Sequence, residues 1–347
     1  MPAVPPVTEE LLPGLWSIPV PIPDNPLGHT LVYLFQTARG SVLVDTGWDD
    51  DASWKALVAG CTTAGVPIDS CYGVLVTHVH PDHHGLSERV REASGAWIAL
   101  HERDAAMVSK MSAAAATDRA ERASADFRDE FAAVLLEAGA SEHELTISAP
   151  HRPRGRARQR PLAVPDRHLQ DGDAMDVPGW SVQAVWTPGH SPGHTCFRVP
   201  DHGLLLAGDH VLPSITPHIA ISRADRGGDP LGDFLASLRK VDRPDVTTVL
   251  PAHEHRFVNL HERVVQITHH HHEHLAAIDA LLAAGPATLW DIAGRLAWNR
   301  PWDDLTLSMK RAAVNETAAH LRYLTRRERA VRYKGVRPIT FGAPGPA

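Results

Sequence analysis

Four histidines and one aspartate stand together in one short stretch that follows an apolar run. The stretch reads Thr77-His78-Val79-His80-Pro81-Asp82-His83-His84-Gly85. Imidazole nitrogens and carboxylate oxygens are the ligands that zinc and its transition-metal neighbours prefer in proteins. Residues 73–76 predict a buried strand, and the proline and glycine of the stretch predict the turn that follows it. We interpret the stretch as a metal-binding turn at the end of a strand.

Further along the chain, three more predicted strands end in a possible metal ligand. Residues 180–186 alternate in polarity and lead to His190, the apolar run 204–208 leads to Asp209, and residues 246–252 lead to His253. Donors at the ends of several strands can meet at one point and form a site together, whereas a lone histidine supplies only one ligand. Residue spacing alone leaves the register open, because further histidines stand beside the candidates. These neighbours are His84, His194 and His255.

In this order, the motifs H-x-H-x-D-H, T-P-G-H, G-D and P-A-H resemble the metallo-β-lactamase superfamily, within it the glyoxalase II-like hydrolases. The resemblance covers roughly residues 10–260. It implies an α/β fold, a four-layer αββα sandwich of two mixed sheets flanked by helices, with a two-metal site at one edge. The implied ligands are His78, His80 and His190 for the first ion, Asp82, His83 and His253 for the second, and Asp209 as a bridge between them. Family position favours these histidines over their neighbours.

The resemblance also implies a chemistry, namely a binuclear hydrolase that uses a metal-bridging hydroxide to cleave a small thioester, ester or lactone. Asp82 would orient the hydroxide as well as bind the second ion. Asp45, at the end of the predicted strand 41–47, would accept a hydrogen bond from a ligand histidine and so fix its tautomer. Two Zn²⁺ ions per chain are expected, and iron or manganese would also suit these ligands.

Two other activities stay open at this point. A metal-dependent nuclease or ribonuclease could use the same site on a phosphodiester, and an iron-dependent sulfur dioxygenase-like oxidoreductase could use a single metal. The intact His80 and the complete second ligand set argue against an iron oxidoreductase. The resemblance implies that many true β-lactamases of this fold carry cysteine where this chain has Asp209, which argues against antibiotic hydrolysis. The formal net charge of −7 disfavours nucleic acid as a partner relative to a small-molecule substrate.

Length and composition indicate the organisation of the chain. The composition, 43% hydrophobic and 22% charged, is that of an ordinary globular protein. The length of 347 residues is greater than a single hydrophobic core usually contains. We expect a catalytic domain over residues 1–260, with a helical insertion at about 101–160, and a helical, winged-helix-like domain over residues 261–347. Three cysteines without framework spacing predict a reducing compartment. The sequence shows neither a signal peptide nor an apolar run of membrane-spanning length, so we expect a cytoplasmic protein without membrane contact.

Two segments outside the motifs carry unusual composition. In the insertion, a helix is predicted from Phe127, Phe131, Val134 and Leu135, and Ser141 with Glu144 predicts a capping box. Five arginines follow between Arg152 and Arg160, either as a solvated loop, which we favour, or as a site for an anionic group such as a phosphorylated carrier.

The C-terminal region begins with the run 269–274, which has five histidines among six residues. Because consecutive residues of a helix point in different directions, we interpret it as a stretch of surface helix rather than a compact metal cage. Helices are predicted over 288–296 and 312–324, with a short β-wing over 328–338. We favour a packing or dimerisation role for this region over nucleic-acid contact, which admits a homodimer.

Overall fold

The computed structural model describes residues 6–116, 132–147, 160–221 and 227–345. The predictions made for Phe127, Phe131 and the arginines from Arg152 to Arg158 lie outside these residues.

The strands and helices follow one another along the whole described chain. The strands are β1 (Glu9–Leu12), β2 (Leu15–Pro21), β3 (His29–Thr37), β4 (Gly40–Val44), β5 (Cys71–Leu75), β6 (Trp97–His101), β7 (Arg167–Leu169), β8 (Gln183–Trp186), β9 (Thr195–Val199), β10 (Leu204–Gly208), β11 (Thr248–Pro251), β12 (Ala287–Thr288), β13 (Val331–Arg332) and β14 (Thr340–Gly342). The helices are α1 (Asp51–Thr63), α2 (Pro81–His84), α3 (Ser87–Ser94), α4 (Glu102–Ala116), α5 (Glu142–Ile147), α6 (Pro230–Val241), α7 (Leu260–Ala283), α8 (Leu289–Arg295) and α9 (Leu307–Arg326). Residues 132–138 are also helical.

The chain divides into two compact units. The first contains Met1–Ala116, Pro153–Pro217 and Ser237–Val264, and the second contains Thr117–Arg152, His218–Ala236 and Val265–Ala347. Each unit is therefore assembled from separate segments of the chain. The catalytic-domain boundary at residue 260 stays a prediction.

Two mixed sheets form the framework of the first unit. The larger has the order β1-β2-β3-β4-β5-β6-β7, antiparallel as far as β4 and parallel from β4 to β7. The smaller has the order β11-β10-β9-β8, in which only the β10–β11 pair is parallel. In both sheets the strands that precede the predicted ligands are β5, β8, β10 and β11. The chain leaves each of them toward a turn that carries one or more donors.

Alternation along the strands builds two separate cores in the first unit. In β3, Tyr33 and Phe35 pack with Phe197 and Leu206 of the smaller sheet, so this core lies between the sheets. Intervening residues such as Leu34 pack instead with residues of α1, α3 and α4 on the outer face of the larger sheet. Successive side chains of a strand point to opposite faces, which explains why β3 is apolar almost throughout. The predicted α/β sandwich is confirmed.

Helix caps in the sequence fix where several helices begin. The Asp50 side chain accepts a hydrogen bond from the Ser53 backbone N–H at 2.7 Å and starts α1. The predicted capping box is present, since the Ser141 backbone N–H donates to Glu144 at 2.7 Å and the Glu144 N–H donates to Ser141 Oγ at 3.3 Å. Thr306 caps α9, which therefore begins five residues before the predicted start at residue 312.

The second unit contains α8, α9 and a small antiparallel sheet of order β12-β14-β13. Strands β13 and β14 pair where a β-wing is predicted, although the wing closes only at residue 342. A winged-helix identity for this region stays a prediction.

Two expectations drawn from composition can be compared with the described residues. Cys61, Cys71 and Cys196 are buried free thiols, as expected without a disulfide framework. None of the described helices has both the length and the apolar character that a bilayer crossing requires.

Candidate metal centre

The turn after β5 brings its donors into the first unit with little exposure to solvent. Pro81 occupies the first turn of the short helix α2, where a backbone N–H would have no partner within the helix. This helix redirects the chain, so that Asp82 and His83 project differently from His78 and His80. His78 and His83 are fully buried, whereas His80 and Asp82 are partly exposed.

Three imidazoles converge as the first group of donors. His80 Nδ1 lies 2.9 Å from His78 Nε2 and 3.0 Å from His190 Nε2. One nitrogen from each of these residues lies within 4.8 Å of the other two. Since His190 follows β8 in the smaller sheet, the group joins a turn of each sheet.

Two imidazoles and a carboxylate form the second group. Asp82 Oδ2 lies 3.7 Å from His83 Nε2 and 3.5 Å from His253 Nε2. The three donor atoms again lie within 4.8 Å of one another. His253 follows β11, so this group also joins the two sheets.

The Asp209 carboxylate lies between the two groups. Its Oδ2 is 3.5 Å from His190 Nε2 and 3.9 Å from His78 Nε2. Its Oδ1 is 3.2 Å from His253 Nε2 and 3.4 Å from His83 Nε2. One oxygen therefore faces each group, which is the arrangement that a bridging carboxylate needs.

The buried Asp45 side chain orients His83. Asp45 Oδ2 accepts a hydrogen bond from His83 Nδ1 at 2.8 Å, and Oδ1 accepts one from the Thr77 backbone N–H at 2.8 Å. With its proton held at Nδ1, His83 presents the Nε2 lone pair to the centre. The hydrogen bond predicted for Asp45 is thus present, and His83 is its partner.

The other ring nitrogen of His253 is held in the same way. His253 Nδ1 donates to the backbone carbonyl of His29 at 2.9 Å, which leaves Nε2 to face Asp209. Neighbouring elements are tied to the same region, since Tyr33 Oη donates to the Pro251 carbonyl at 2.7 Å and Thr30 Oγ1 donates to the Asp82 carbonyl at 2.9 Å. Strand β3 therefore supports two of the three members of the second group, His253 and Asp82.

Imidazoles and carboxylates of this centre shift one another's pKa. Burial disfavours the protonated form of His83, but the carboxylates of Asp209, Asp82 and Asp45 outweigh it and raise its pKa well above the ordinary value. Burial likewise disfavours ionised Asp209, but His83 and His253 outweigh it and hold its pKa well below the ordinary value. The pKa of His78 is lowered well below its ordinary value by burial and by the surrounding imidazoles. The carboxylates thus attract positive charge, while neutral His78 offers a lone pair.

Several buried donor atoms of the centre lack a hydrogen-bond partner among the described residues. They are His83 Nε2, Asp209 Oδ1 and His253 Nε2. Burying polar atoms without a partner is costly, so native proteins usually satisfy them. All three atoms point into the same small region between carboxylates and imidazoles. A divalent cation in this region would satisfy them. The residues therefore fit the metal ions that the motifs imply.

The structure distinguishes the neighbouring histidines. Both ring nitrogens of His84 are engaged, Nδ1 with Ser87 Oγ at 2.7 Å and Nε2 with the Ala163 carbonyl at 2.8 Å. His194 Nε2 accepts a hydrogen bond from the Asp209 backbone N–H at 3.1 Å, so this residue positions the carboxylate. His255 is exposed. The clusters contain His83, His190 and His253 instead, and their role as metal ligands stays a prediction.

Sequence reasoning missed Asp104, which connects two turns of the centre. This fully buried carboxylate accepts hydrogen bonds from the Val79 N–H at 3.0 Å, the Gly193 N–H at 2.7 Å and Ser191 Oγ at 2.7 Å. A Cβ at Gly193 would lie 2.7 Å from the Asp104 side chain, so the turn needs glycine there. The only sequence signal is an aspartate soon after a strand, which is too common to indicate such a role.

Comparisons with known proteins agree with this geometry. A profile of the Metallo-beta-lactamase superfamily matches residues 25–253, more than half of the chain. A crystal structure of a metallo-beta-lactamase family protein from Thermus thermophilus has 31% identity and a TM-score of 0.73, covering 96% of this chain and all of that one.

Two named relatives match shorter regions. A hydroxyacylglutathione hydrolase of Rhizobium meliloti is 31% identical over 96 residues, which are 28% of this chain and 35% of that protein. An acyl-coenzyme A thioesterase of Gallus gallus is 29% identical over 190 residues, which are 53% of this chain and 56% of that protein. These matches span less than two thirds of either relative. The profile and the full-length structural match nevertheless reach across both sheets and every donor, and the chain belongs to the metallo-β-lactamase superfamily.

Proposed function

We propose that the chain is a metal-dependent hydrolase that cleaves small thioesters or esters and holds two divalent ions, zinc being the first choice. The observation that carries the proposal is the position of Asp209, with one carboxylate oxygen facing each group of donors. Each group contains three donor atoms within 4.8 Å of one another. A single-metal site would leave one of these two groups of three donors unexplained.

In this proposal His78, His80 and His190 hold one ion, Asp82, His83 and His253 hold the other, and Asp209 contacts both. Ions bound there would lower the pKa of a water molecule and polarise the carbonyl of the substrate. Such a site needs neither a serine nor a cysteine nucleophile. In this proposal the three buried thiols of the chain take no part in the reaction.

The side chains of the centre differ in exposure, which indicates where substrate approaches. His78, His83 and His253 are at most 1% exposed, whereas Asp82 is 16% exposed and Asp209 is 12% exposed. His80 and His190 are also partly exposed. Substrate would therefore reach the centre from the side of His80, Asp82 and His190. Asp82 is the carboxylate best placed there to accept a hydrogen bond from an attacking water molecule.

Relatives support the choice of a thioester. The Gallus gallus relative is named an acyl-coenzyme A thioesterase, and a matching protein of Aspergillus fumigatus is named an atrochrysone carboxyl ACP thioesterase. A small-molecule substrate also suits the net charge of −7 better than a phosphodiester polymer does. The three free thiols support a reducing, cytoplasmic setting.

A substrate screen at matched metal loading tests the proposal. The purified full chain, with its metal content measured, is assayed on acyl-thioester, ester, lactone, phosphodiester and RNA substrates. We expect thioester or ester cleavage and little turnover of RNA. Cleavage of RNA without thioester cleavage would replace the hydrolase proposal by a nuclease.

A matched pair of variants assigns any activity to the centre. His253→Ala removes a proposed ligand, whereas His255→Ala removes an exposed imidazole two residues further along. We expect loss of at least about 100-fold in kcat/KM for the first variant, the scale of removing one group that stabilises transition-state charge. The second variant should keep the wild-type value. Equal activity in the two variants would place the chemistry elsewhere.

A further inference from the structure

The histidine run of the second unit is not the surface stretch that its sequence suggests. It lies in α7, and His269, His272 and Glu273 of the run are exposed. His271 and His274, however, are 0% and 5% exposed. The surface interpretation is wrong for these two residues, because one face of α7 packs inside the second unit.

Helix α9 presents two further donors to this buried face. Glu316 and His320 are four residues apart, so they share one side of α9, and both are buried. His271 Nδ1 lies 3.1 Å from His320 Nε2. One donor atom from each of His271, Glu316 and His320 lies within 4.8 Å of the other two. Glu316 also forms a second such group with His270 and His274, so its carboxylate is common to both.

Hydrogen bonds fix the orientation of two of these rings. His320 Nδ1 donates to the Glu316 backbone carbonyl at 2.9 Å, which leaves Nε2 as the lone-pair nitrogen. His274 Nε2 donates to the Ala297 carbonyl at 3.0 Å, which leaves Nδ1. A histidine that binds a metal ion typically donates its other ring N–H to a carbonyl or carboxylate in this way.

The cluster also contains polar atoms that nothing satisfies. His271 Nε2 and His274 Nδ1 are buried and lack a hydrogen-bond partner within the described part of the chain. Aliphatic side chains at these positions would avoid the cost of burying polar atoms without a partner. The presence of such polar side chains on two facing helices points to a cation that they bind.

The spacing of the donors suits a transition-metal ion. One donor atom from each of His271, Glu316 and His320 lies within 4.8 Å of the other two, so small side-chain shifts would bring all three to the bond lengths of about 2.0–2.2 Å that zinc takes with nitrogen and oxygen ligands. Imidazole and carboxylate together favour zinc and its neighbours over calcium or magnesium, which prefer oxygen ligands.

We propose that α7 and α9 hold one further divalent transition-metal ion through His271, Glu316 and His320. Because its ligands are buried and come from two helices, the ion is a structural clamp of the second unit. This site is separate from the centre around Asp209 and does not depend on the proposed hydrolase function.

Metal stoichiometry of the full chain tests the clamp. Metal-free protein is reloaded with Zn²⁺, desalted and analysed for zinc per chain. Glu316→Gln, which keeps the side-chain size, and His320→Ala should each bind one equivalent less than wild type. His272→Ala, which removes an exposed imidazole of the same run, should bind as much as wild type. Equal zinc content in wild type, Glu316→Gln and His320→Ala would overturn the proposal.

A second measurement decides the matter even when those variants fold poorly. In a chain that carries both His190→Ala and Asp209→Ala, the first centre is disabled while the second unit is unchanged. We expect this chain to retain one tightly bound zinc ion, and its melting temperature should fall when that ion is removed by chelation. A chain that binds no zinc would refute the clamp.

Discussion

At the scale of single residues, the side chains that hold the donors matter as much as the donors. Asp45 has φ of 61°, a left-handed conformation that costs a non-glycine residue of order 1 kcal/mol or more. The hydrogen bonds from Thr77 and His83 hold it there. Asp104 likewise accepts hydrogen bonds from the turns that contain Val79 and Ser191 and holds them in place. Both carboxylates fix the directions in which the donors point.

Replacing Asp45 by asparagine should weaken metal binding by about 10–100-fold, the usual effect of losing a partner of a ligand histidine. The amide would present N–H toward His83 or lose the charge that holds the proton at Nδ1, so the Nε2 lone pair would no longer be fixed. Metal affinity measured by competition with a chromophoric chelator tests this. Asp69→Asn, at an exposed position, is the control. Unchanged affinity for Asp45→Asn would contradict the role of Asp45.

Replacing Asp104 by alanine should lower the free energy of unfolding by about 3 kcal/mol or more. The change leaves the Val79 and Gly193 N–H groups and the Ser191 hydroxyl without their acceptor, and each buried loss costs about 1–3 kcal/mol. Urea denaturation measures the effect. Glu102→Ala, at an exposed position on the same helix, should change stability by no more than about 0.5 kcal/mol. A comparable loss in both variants would argue against a special role for Asp104.

Sequence predicted the donors of the centre but not everything that supports them. Dense motifs identified His78, His80 and Asp82, because few roles besides metal binding require so many donors directly after an apolar run. Asp104 escaped because its backbone partners, Val79 and Gly193, lie 25 and 89 residues away along the chain. The burial of His271 was not predicted for a related reason, since its partner His320 lies on another helix. Contacts between distant segments leave no periodic signal in either segment.

At the scale of elements, the centre depends on strands that end at a defined residue. Strand β10 ends at Gly208, directly before Asp209, with φ of 51°. Strand β8 ends at Trp186, whose indole N–H donates to the Pro192 carbonyl across the following turn at 3.0 Å. Sequence predicted these strands well, but β8 begins at Gln183 rather than at Trp180. For β8 the predicted end therefore agrees with the structure better than the predicted beginning.

Gly208→Ala should destabilise the chain and reduce its metal content. An alanine Cβ there would lie 2.7 Å from His194 Nε2 and 2.9 Å from Thr77 Cβ, and the left-handed backbone would be strained as well. The matched control is Gly65→Ala, since Gly65 has φ of 73° but open space around a Cβ. We expect about 1–2 kcal/mol for the control from backbone strain alone, and a further loss of about 1–3 kcal/mol for Gly208→Ala from overpacking. Thermal unfolding of the two variants compares them, and equal losses would mean that the contact with His194 is relieved without cost.

At the scale of the whole molecule, the first centre joins segments that are far apart in the chain. Its donors come from residues 78–83, 190, 209 and 253, all within the first unit. The sandwich fold could be predicted because each donor motif follows an apolar strand. Which segments belong to each of the two units could not be predicted, because this depends on which segments pack together, and residues 218–236 join the second unit across a long separation in sequence.

Removing metal should therefore lower the stability of the folded protein. Ions that bind the folded but not the unfolded chain stabilise it by about 2.7 kcal/mol when present at 100 times their Kd. Calorimetry with and without a chelator measures the fall in Tm, and added Zn²⁺ should restore it. Performing the scan on Glu316→Gln isolates the contribution of the centre around Asp209. A Tm that does not respond to the chelator in this variant would show that the strand ends are preorganised without ions.

The burial of all three cysteines has a practical consequence. Burial raises the pKa of Cys61 to about 12, of Cys71 to about 11 and of Cys196 to about 12, so almost no thiolate forms at neutral pH. The native protein should resist iodoacetamide for as long as it stays folded, and alkylation followed by mass spectrometry would report the opening of each core separately. Cys61 lies in the outer core of the larger sheet, whereas Cys196 lies in the smaller sheet. Different alkylation rates at the two positions would reveal which layer of the sandwich opens first.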